Sequence, residues 1–286
     1  MVREFKLQNE KGQEFSLMDI ENSCLLTAPN GLGISYTSEY EQIGNTFVQT
    51  IRTFDQGQID GELNFLNYDN YRKIIDFIEN AEKLRLEYII PYNNNPKTYY
   101  KDVEINVLSK SEIQPNGVMT EQVTINCLSL WYEAVNLSYN IIESEVENLI
   151  RWDFIWDSRF GGTADSEISL VNKGHVPAPI ELEISGRVVN PYIKLLVEGQ
   201  EYQRVTFDVE IGQYEKLLYG SKEDNFYILK QNEDGTTTSL FDLDVINFDN
   251  DNVIRIPRNK SCKLQIYAET EITAIKAMIY IYYKAV

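Results

Sequence analysis

Alternation of apolar and polar side chains recurs along most of this chain, and it restricts the fold to sheets with one buried face. The pattern runs through Ile59, Gly61, Leu63 and Phe65, through Leu84, Leu86 and Tyr88, and through Val103, Ile105 and Val107. It returns at Val123, Ile125 and Cys127, at Ile180, Leu182 and Ile184, and at Val205, Phe207 and Val209. Two further runs, Leu264, Ile266, Ala268 and Ala277, Ile279, Ile281, Tyr283, complete the set. Successive strand side chains point to opposite faces, so each run predicts a half-buried strand.

One segment follows a different period. Between Asn67 and Ala81 the apolar groups fall at Tyr71, Ile74, Ile75, Ile78 and Ala81, the spacing of an amphipathic helix. Asn67 is the expected N-cap, and Asp69 in the first turn complements the helix dipole. Arg72, Lys73, Asp76 and Glu79 fall off the apolar stripe, so the helix should lie on a sheet. Turn residues punctuate the remainder at Pro29-Asn30-Gly31, Asn93-Asn94-Asn95-Pro96, Pro115-Asn116-Gly117 and Gly161-Gly162, and Asp234-Gly235 reads as a hairpin tip. The least regular stretch, from about Tyr132 to Asn172, holds Trp152 and Trp156. A boundary near Tyr132 to Leu137 is expected, giving domains of residues 1–133 and 134–286, with the stretch up to Phe160 an opening strand of the second. Both halves read as β, the first with one helix.

Charge and cysteine usage narrow the function classes. The 286 residues carry 26 Lys and Arg against 44 Asp and Glu, a net charge of −18. A chain so acidic is repelled by nucleic acid and by anionic membranes unless basic residues segregate, and they do not. Ala274 to Val286 is interrupted by Lys276 and Lys284 and is shorter than the ~20 residues of a membrane helix. The first residues lack the apolar core of an export signal, so synthesis and folding in a reducing cytoplasm are expected. Cys24, Cys127 and Cys262 are far apart and odd in number, which suits buried thiols rather than disulfides or zinc.

No catalytic constellation emerges. The single histidine, His175, lies in the loop sequence Asn172-Lys173-Gly174-His175-Val176-Pro177, with no nucleophile elbow near it. Asp242 to Asn252 is densely acidic, but as a calcium loop starting at Asp249 it fails, with Val253, Ile254 and Lys260 where an acceptor, Gly and Glu are needed. It reads as a solvated turn. Gly31-Leu32-Gly33 lacks the third Gly and the following helix of a phosphate loop. Trp131, Trp152 and Trp156 could stack on sugars, although Trp131 directly follows the run through Cys127 and so belongs to a core or a domain junction. No catalytic, cofactor-binding or metal-binding residue is assigned.

A family resemblance rests on an ordered set of segments. In the first half these are the helix Tyr68 to Ala81, Leu84-Arg85-Leu86-Glu87-Tyr88, Tyr99-Tyr100-Lys101-Asp102-Val103, Lys110-Ser111-Glu112, Asn116-Gly117 and Leu128-Ser129-Leu130-Trp131-Tyr132. In the second they are Asn172-Lys173-Gly174 leading to Pro177 and Pro179, Ile180 to Gly186 closing on Asn190-Pro191, Glu215 to Tyr219, Asp234-Gly235 and Ile256 to Ser261. From about Leu25 onward the chain resembles the distal tail protein of siphophages and related prophages. Asn259 stands where that family commonly has Gly, and Asn tolerates the left-handed conformation such a turn needs.

The resemblance implies a mainly β fold, with an N-terminal β-sandwich-like belt domain carrying one amphipathic helix and a galectin-like C-terminal β-sandwich. It implies a structural role without enzymatic activity or cofactors, in a homohexameric ring at the virion tail tip. The ring would join the tail tube protein to the tail-tip hub or tail-associated lysin and anchor receptor-binding proteins. Open strand edges and the hairpin from Thr98 to Leu130 would pair with a neighbouring subunit, and an acidic inner wall would let DNA pass without sticking. The alternative is a carbohydrate-binding β-sandwich acting on cell-wall glycans. The His, Arg, Asn and Trp of galectin-type sugar sites are not assembled here, with one loop histidine and no Trp after Trp156.

Overall fold

The alternating runs become strands whose inward residues fill two separate cores. The computed structural model describes residues 3–91, 95–140, 166–240, 253–270, 272 and 274–286. The chain divides into two compact units, Met1–Glu133 with Tyr283–Val286, and Ala134–Tyr282. Trp152, Trp156, the Gly161-Gly162 step, the opening strand beyond residue 140, the Asn93-Asn94 turn and the acidic run 242–252 lie outside the described residues.

The first unit is built from β1 (Glu4–Asn9), β2 (Glu14–Ser16), β3 (Leu25–Asn30), β4 (Tyr36–Ile43), β5 (Thr46–Phe54), β6 (Gln58–Phe65), α1 (Tyr68–Glu79), β7 (Leu84–Ile90), β8 (Lys97–Leu108), β9 (Met119–Cys127) and the start of β10 (Trp131–Asn140). Antiparallel pairing gives the order β2-β1-β7-β8-β9-β6-β3. The two ends of this order meet. Leu17 N–H donates to Phe5 O at 2.9 Å, Leu26 N–H donates to Leu17 O at 2.8 Å, and Met18 lies opposite Leu25. Closure joins the two end strands and encloses Phe5, Leu7, Leu63, Phe65, Leu86, Val123 and Ile125, all buried. Gly31 (φ +89°) sits where a Cβ would lie 1.9 Å from Gln58 O, so β3 can approach β6 only with glycine there.

α1 forms as its sequence dictates. Asn67 Oδ1 accepts from Asn70 N–H at 2.8 Å, and Asn80 Nδ2 closes the other end on Asp76 O at 2.7 Å, so the helix stops just short of Ala81. Tyr71 and Ile74 are buried, and the Tyr71 ring meets Phe65 of β6 edge-on. The Lys110-Ser111-Glu112 step pins the start of the helix, since the Tyr68 hydroxyl bonds Glu112 and its ring faces Lys110. Behind that step, the fully buried Glu121 accepts from Ser111 N–H at 2.6 Å, Ser111 Oγ at 2.7 Å and Ser109 Oγ at 2.8 Å.

The second unit comprises β11 (Ser166–Val171), β12 (Ala178–Ser185), β13 (Val188–Val189), β14 (Tyr192–Val197), β15 (Gln200–Thr206), β16 (Glu210–Ile211), β17 (Lys216–Ser221), β18 (Phe226–Gln231), β19 (Thr237–Ser239), β20 (Arg255–Ile256), β21 (Ser261–Tyr267) and β22 (Ala274–Tyr283), whose last residue belongs to the first unit. Strands β19-β18-β17-β12-β22 and β11-β21-β14-β15 make two sheets whose inward residues share one core, a β-sandwich. The predicted Asp234-Gly235 tip joins β18 to β19, with Gly235 at φ +84°. The run Val205, Phe207, Val209 is not one strand. β15 ends at Thr206, and Phe207 N–H bonds Pro191 O while its side chain stays fully buried.

A single buried amide ties two loops of this sandwich together. Asn172 Nδ2 donates to Val176 O at 2.8 Å and Ile256 O at 3.0 Å, while Oδ1 accepts from Gly174 N–H at 2.8 Å. Asn259 N–H returns to Asn172 O at 2.9 Å, and Asn259 adopts φ +54°, the left-handed turn expected of it. A Cβ on Gly174 would lie 2.5 Å from Tyr282 O, so this loop also needs glycine to lie against β22.

Two predictions follow from these polar knots. Replacing Asn172 with Ala orphans two carbonyls and an N–H in a dry site, so denaturant unfolding should show a loss of about 2–4 kcal/mol; a loss within ~0.5 kcal/mol contradicts the assignment. For Glu121, burial pushes the carboxyl up, but the hydrogen bonds from Ser111 and Ser109, with Lys110 nearby, outweigh it and hold the group below its ordinary value of 4.5. A lowered folded-state pKa stabilises above the unfolded value and is lost as pH falls through the folded one. The stability advantage of the native chain over Glu121→Gln should therefore be full near pH 7 and shrink below about pH 4.5; an advantage that grows towards acid contradicts this.

Candidate assembly surface

Alternation alone does not reveal which strands have open edges, and the Thr98 to Leu130 hairpin corrects that expectation. β7 bonds β8 over Lys97–Val103 and β9 bonds it over Val103–Leu108, while β9 is paired along its length by β6, so the hairpin is paired over most of its length and only Glu104–Leu108 lacks a strand on the β7 side among the described residues. The surface suited to a partner is β4–β5, whose residues show no inward apolar period. Among the described residues these two strands pair with each other and with no other strand.

Their sequence explains the hairpin. Gly44-Asn45 separates two β-prone runs, and Gly44 takes φ +62°, as a tight two-residue connection requires. Register runs from Tyr36 opposite Phe54 to Ile43 opposite Thr46, with an irregularity between Glu39 and Tyr40. Every residue from 39 to 53 is exposed. The exposed set includes Phe47 at 70 %, Tyr40 at 61 %, Ile43 at 59 %, Ile51 at 51 % and Val48 at 46 %. Charges are few on this arm, namely Glu39, Glu41 and Arg52. A lone two-stranded hairpin is marginal in water, and a concentrated apolar surface of this kind marks a contact site.

The residues singled out in the sequence take bland places. Trp131 is fully buried, with Nε1–H bonding Leu32 O at 3.2 Å and its ring 4.7 Å from the Lys101 ammonium, so it packs the first core. Burial pulls Lys101 below its usual value. His175 is exposed in a turn, with its N–H on Tyr282 O at 2.7 Å. Cys24, Cys127 and Cys262 are buried free thiols, and burial raises Cys24 to about 12. Gly31-Leu32-Gly33 serves the β3–β6 approach and the Trp131 bond. Among the described residues no cluster of His, Cys, Asp and Glu is arranged to hold a metal, and no helix is long and apolar enough to cross a membrane.

Comparison with known proteins bears directly on this unit. Residues 4–128 match the family described as distal tail protein, N-terminal domain. That stretch of the chain is similar to the N-terminal domain of distal tail proteins. The chain is 26 % identical over 151 residues to the distal tail protein of Lactococcus phage SK1, and 25 % identical over 151 residues to that of Lactococcus phage p2. Each match covers 50 % of this chain and 50 % of the relative, so the chain spans about half the length of the curated relatives it matches. In fold the likeness extends further. A chain of the phage P2 baseplate in its activated conformation with Ca superposes with a TM-score of 0.68 at 17 % identity, covering 100 % of both chains. The SPP1 Dit protein, described as a paradigm of hub adsorption apparatus in phages infecting Gram-positive hosts, gives 0.56 at 11 % identity, over 96 % of this chain and 98 % of that one. The mainly β fold with one helix is thus the fold of distal tail proteins.

Because no residue of the arm belongs to the first core or packs on it, Phe47→Ser should leave the unfolding free energy of the monomeric chain unchanged within about 0.5 kcal/mol in denaturant titration. A loss above about 2 kcal/mol would mean that Phe47 packs within the unit and is not free for a partner.

Proposed function

We propose that this chain is a structural component of a phage or prophage tail tip, a distal tail protein that closes into a homohexameric ring through its first unit. The observation that carries the reading is the β4–β5 arm, an apolar hairpin without a strand partner in its own unit, on a unit similar to the N-terminal domain of distal tail proteins. A second copy is the natural occupant, because a repeated arm-to-body contact around a closed axis satisfies every arm at once. The residues 1–133 serve as the belt domain and the residues 134–286 as an outward, galectin-like sandwich. The ring joins the tail tube protein to the tail-tip hub or tail-associated lysin, and the second domain offers a seat for receptor-binding proteins.

The role is mechanical and requires neither catalysis nor a cofactor. The net charge of −18 suits a collar through which DNA passes, since like charge keeps the polyanion moving. Light scattering across a concentration series, with negative-stain imaging, tests the reading. It should yield a species of about six chains, near 200 kDa, with a central hole, and Phe47→Glu should return it to 33.2 kDa. A native chain that stays monomeric at every concentration, with or without tail tube protein, contradicts it.

A further inference from the structure

The arm poses a mechanical problem. A two-stranded hairpin with both faces in water has little to hold it at a fixed angle, yet a contact repeated around a ring tolerates small angular error only. Its root must therefore be fixed by something other than the tight turn at its far end. The strands meet the body at Tyr36 and Phe54, whose rings lie edge to face at 5.6 Å, and Asp55 N–H bonds Ser35 O at 3.1 Å just below them.

The residues that follow β22 reach this root. Residues Tyr283–Val286 belong to the first unit although the strand leading to them belongs to the second. Tyr283 is anchored there, its hydroxyl donating to Glu133 at 2.8 Å and its ring meeting Tyr99 edge-on at 5.5 Å. Next in sequence, Lys284 places its ammonium 3.3 Å from the Tyr36 hydroxyl, 5.5 Å from the Tyr36 ring and 5.7 Å from the Phe54 ring. Arg52, from the arm itself, lies 3.9 Å over the same Tyr36 ring. Two cations thus converge on one aromatic pair, one from the arm and one from a segment 230 residues further along the chain than Phe54.

We infer that Lys284 is a positioning residue for the arm, locking the Tyr36–Phe54 root so that the β4–β5 contact surface is presented at a set angle. Both strands of the arm contribute a ring to the lock, so the cation restrains rotation of the hairpin as a whole and not of one strand. The Tyr283 anchor supplies the fixed point against which Lys284 acts. The value of a set angle rests on the reading of the arm as an assembly surface; the lock itself does not.

Amide hydrogen exchange on the full-length chain, at a concentration where it is monomeric, tests the lock apart from any ring. Lys284→Met keeps the length and removes the charge. Exchange at the root, residues 36–38 and 52–55, should quicken about two- to fivefold, as expected for the loss of a partly exposed cation–ring contact. Lys284→Arg should restore the native rate, and amides of β6 and β9 should not change. Equal root exchange in native and Lys284→Met chains, or a quickening that spreads equally through β6 and β9, overturns the inference. Failure of the native chain to form a ring, with root exchange behaving as stated, would remove the assembly reading and leave the lock intact.

Discussion

Closure of the first sheet on itself, through Leu17 bonded to both Phe5 and Leu26, is the constraint from which the character of this unit follows. An open seven-stranded order would leave two edges of unpaired N–H and C=O groups, each an invitation to unspecific pairing. Once they are joined, the alternating residues of all seven strands face one enclosed core, and α1 is free to pack on it through Tyr71 and Ile74. Closure also decides where a partner can bind. Among the described residues of this unit, exposed apolar groups are concentrated on the β4–β5 arm, while Leu66, Tyr68, Val107 and Leu128 are exposed elsewhere.

The polar interior follows a different logic from the apolar one. Asn172 and Glu121 are almost wholly buried, and each is satisfied by groups of segments distant in sequence or beyond the strand ends: Asn172 by the backbone of residues 174, 176 and 256, Glu121 by the Ser111 N–H and the Ser109 and Ser111 hydroxyls. Both lie at or beside segments that make the sequence resemble distal tail proteins. Asn172 opens the Asn172-Lys173-Gly174 step and binds the Ile256 to Asn259 turn, and Glu121 holds the Lys110-Ser111-Glu112 step. Those short motifs are visible because a buried hydrogen-bond network admits few substitutes, whereas an apolar strand face accepts many of similar volume.

This difference explains what could be read without coordinates. The helix was legible because its 3.6-residue period and the Asn67 cap are both local, and β6, β7, β8 and β9 because each has one face in a core. Neighbours were not legible, since alternation says which face is buried but nothing about which edge is bonded; hence the Thr98 to Leu130 hairpin looked open and is paired over most of its length. The arm escaped for the opposite reason. Neither of its faces is buried, so Tyr36, Tyr40, Phe47 and Ile51 obey no inward period, and the Gly44-Asn45 step between β-prone runs was the one usable signal. Phe207 shows a third limit: a residue just past a strand end can be as buried as one inside it.

On the proposed assembly, the arm packs against another copy of the same chain. A photoreactive phenylalanine analogue placed at position 47, irradiated in the purified protein, tests it at the contact itself. Chain-to-chain cross-links should map to the closed-sheet unit of a second copy and disappear on dilution below assembly. Cross-links confined to the chain's own residues, or joined only to unrelated surfaces at random, would contradict it.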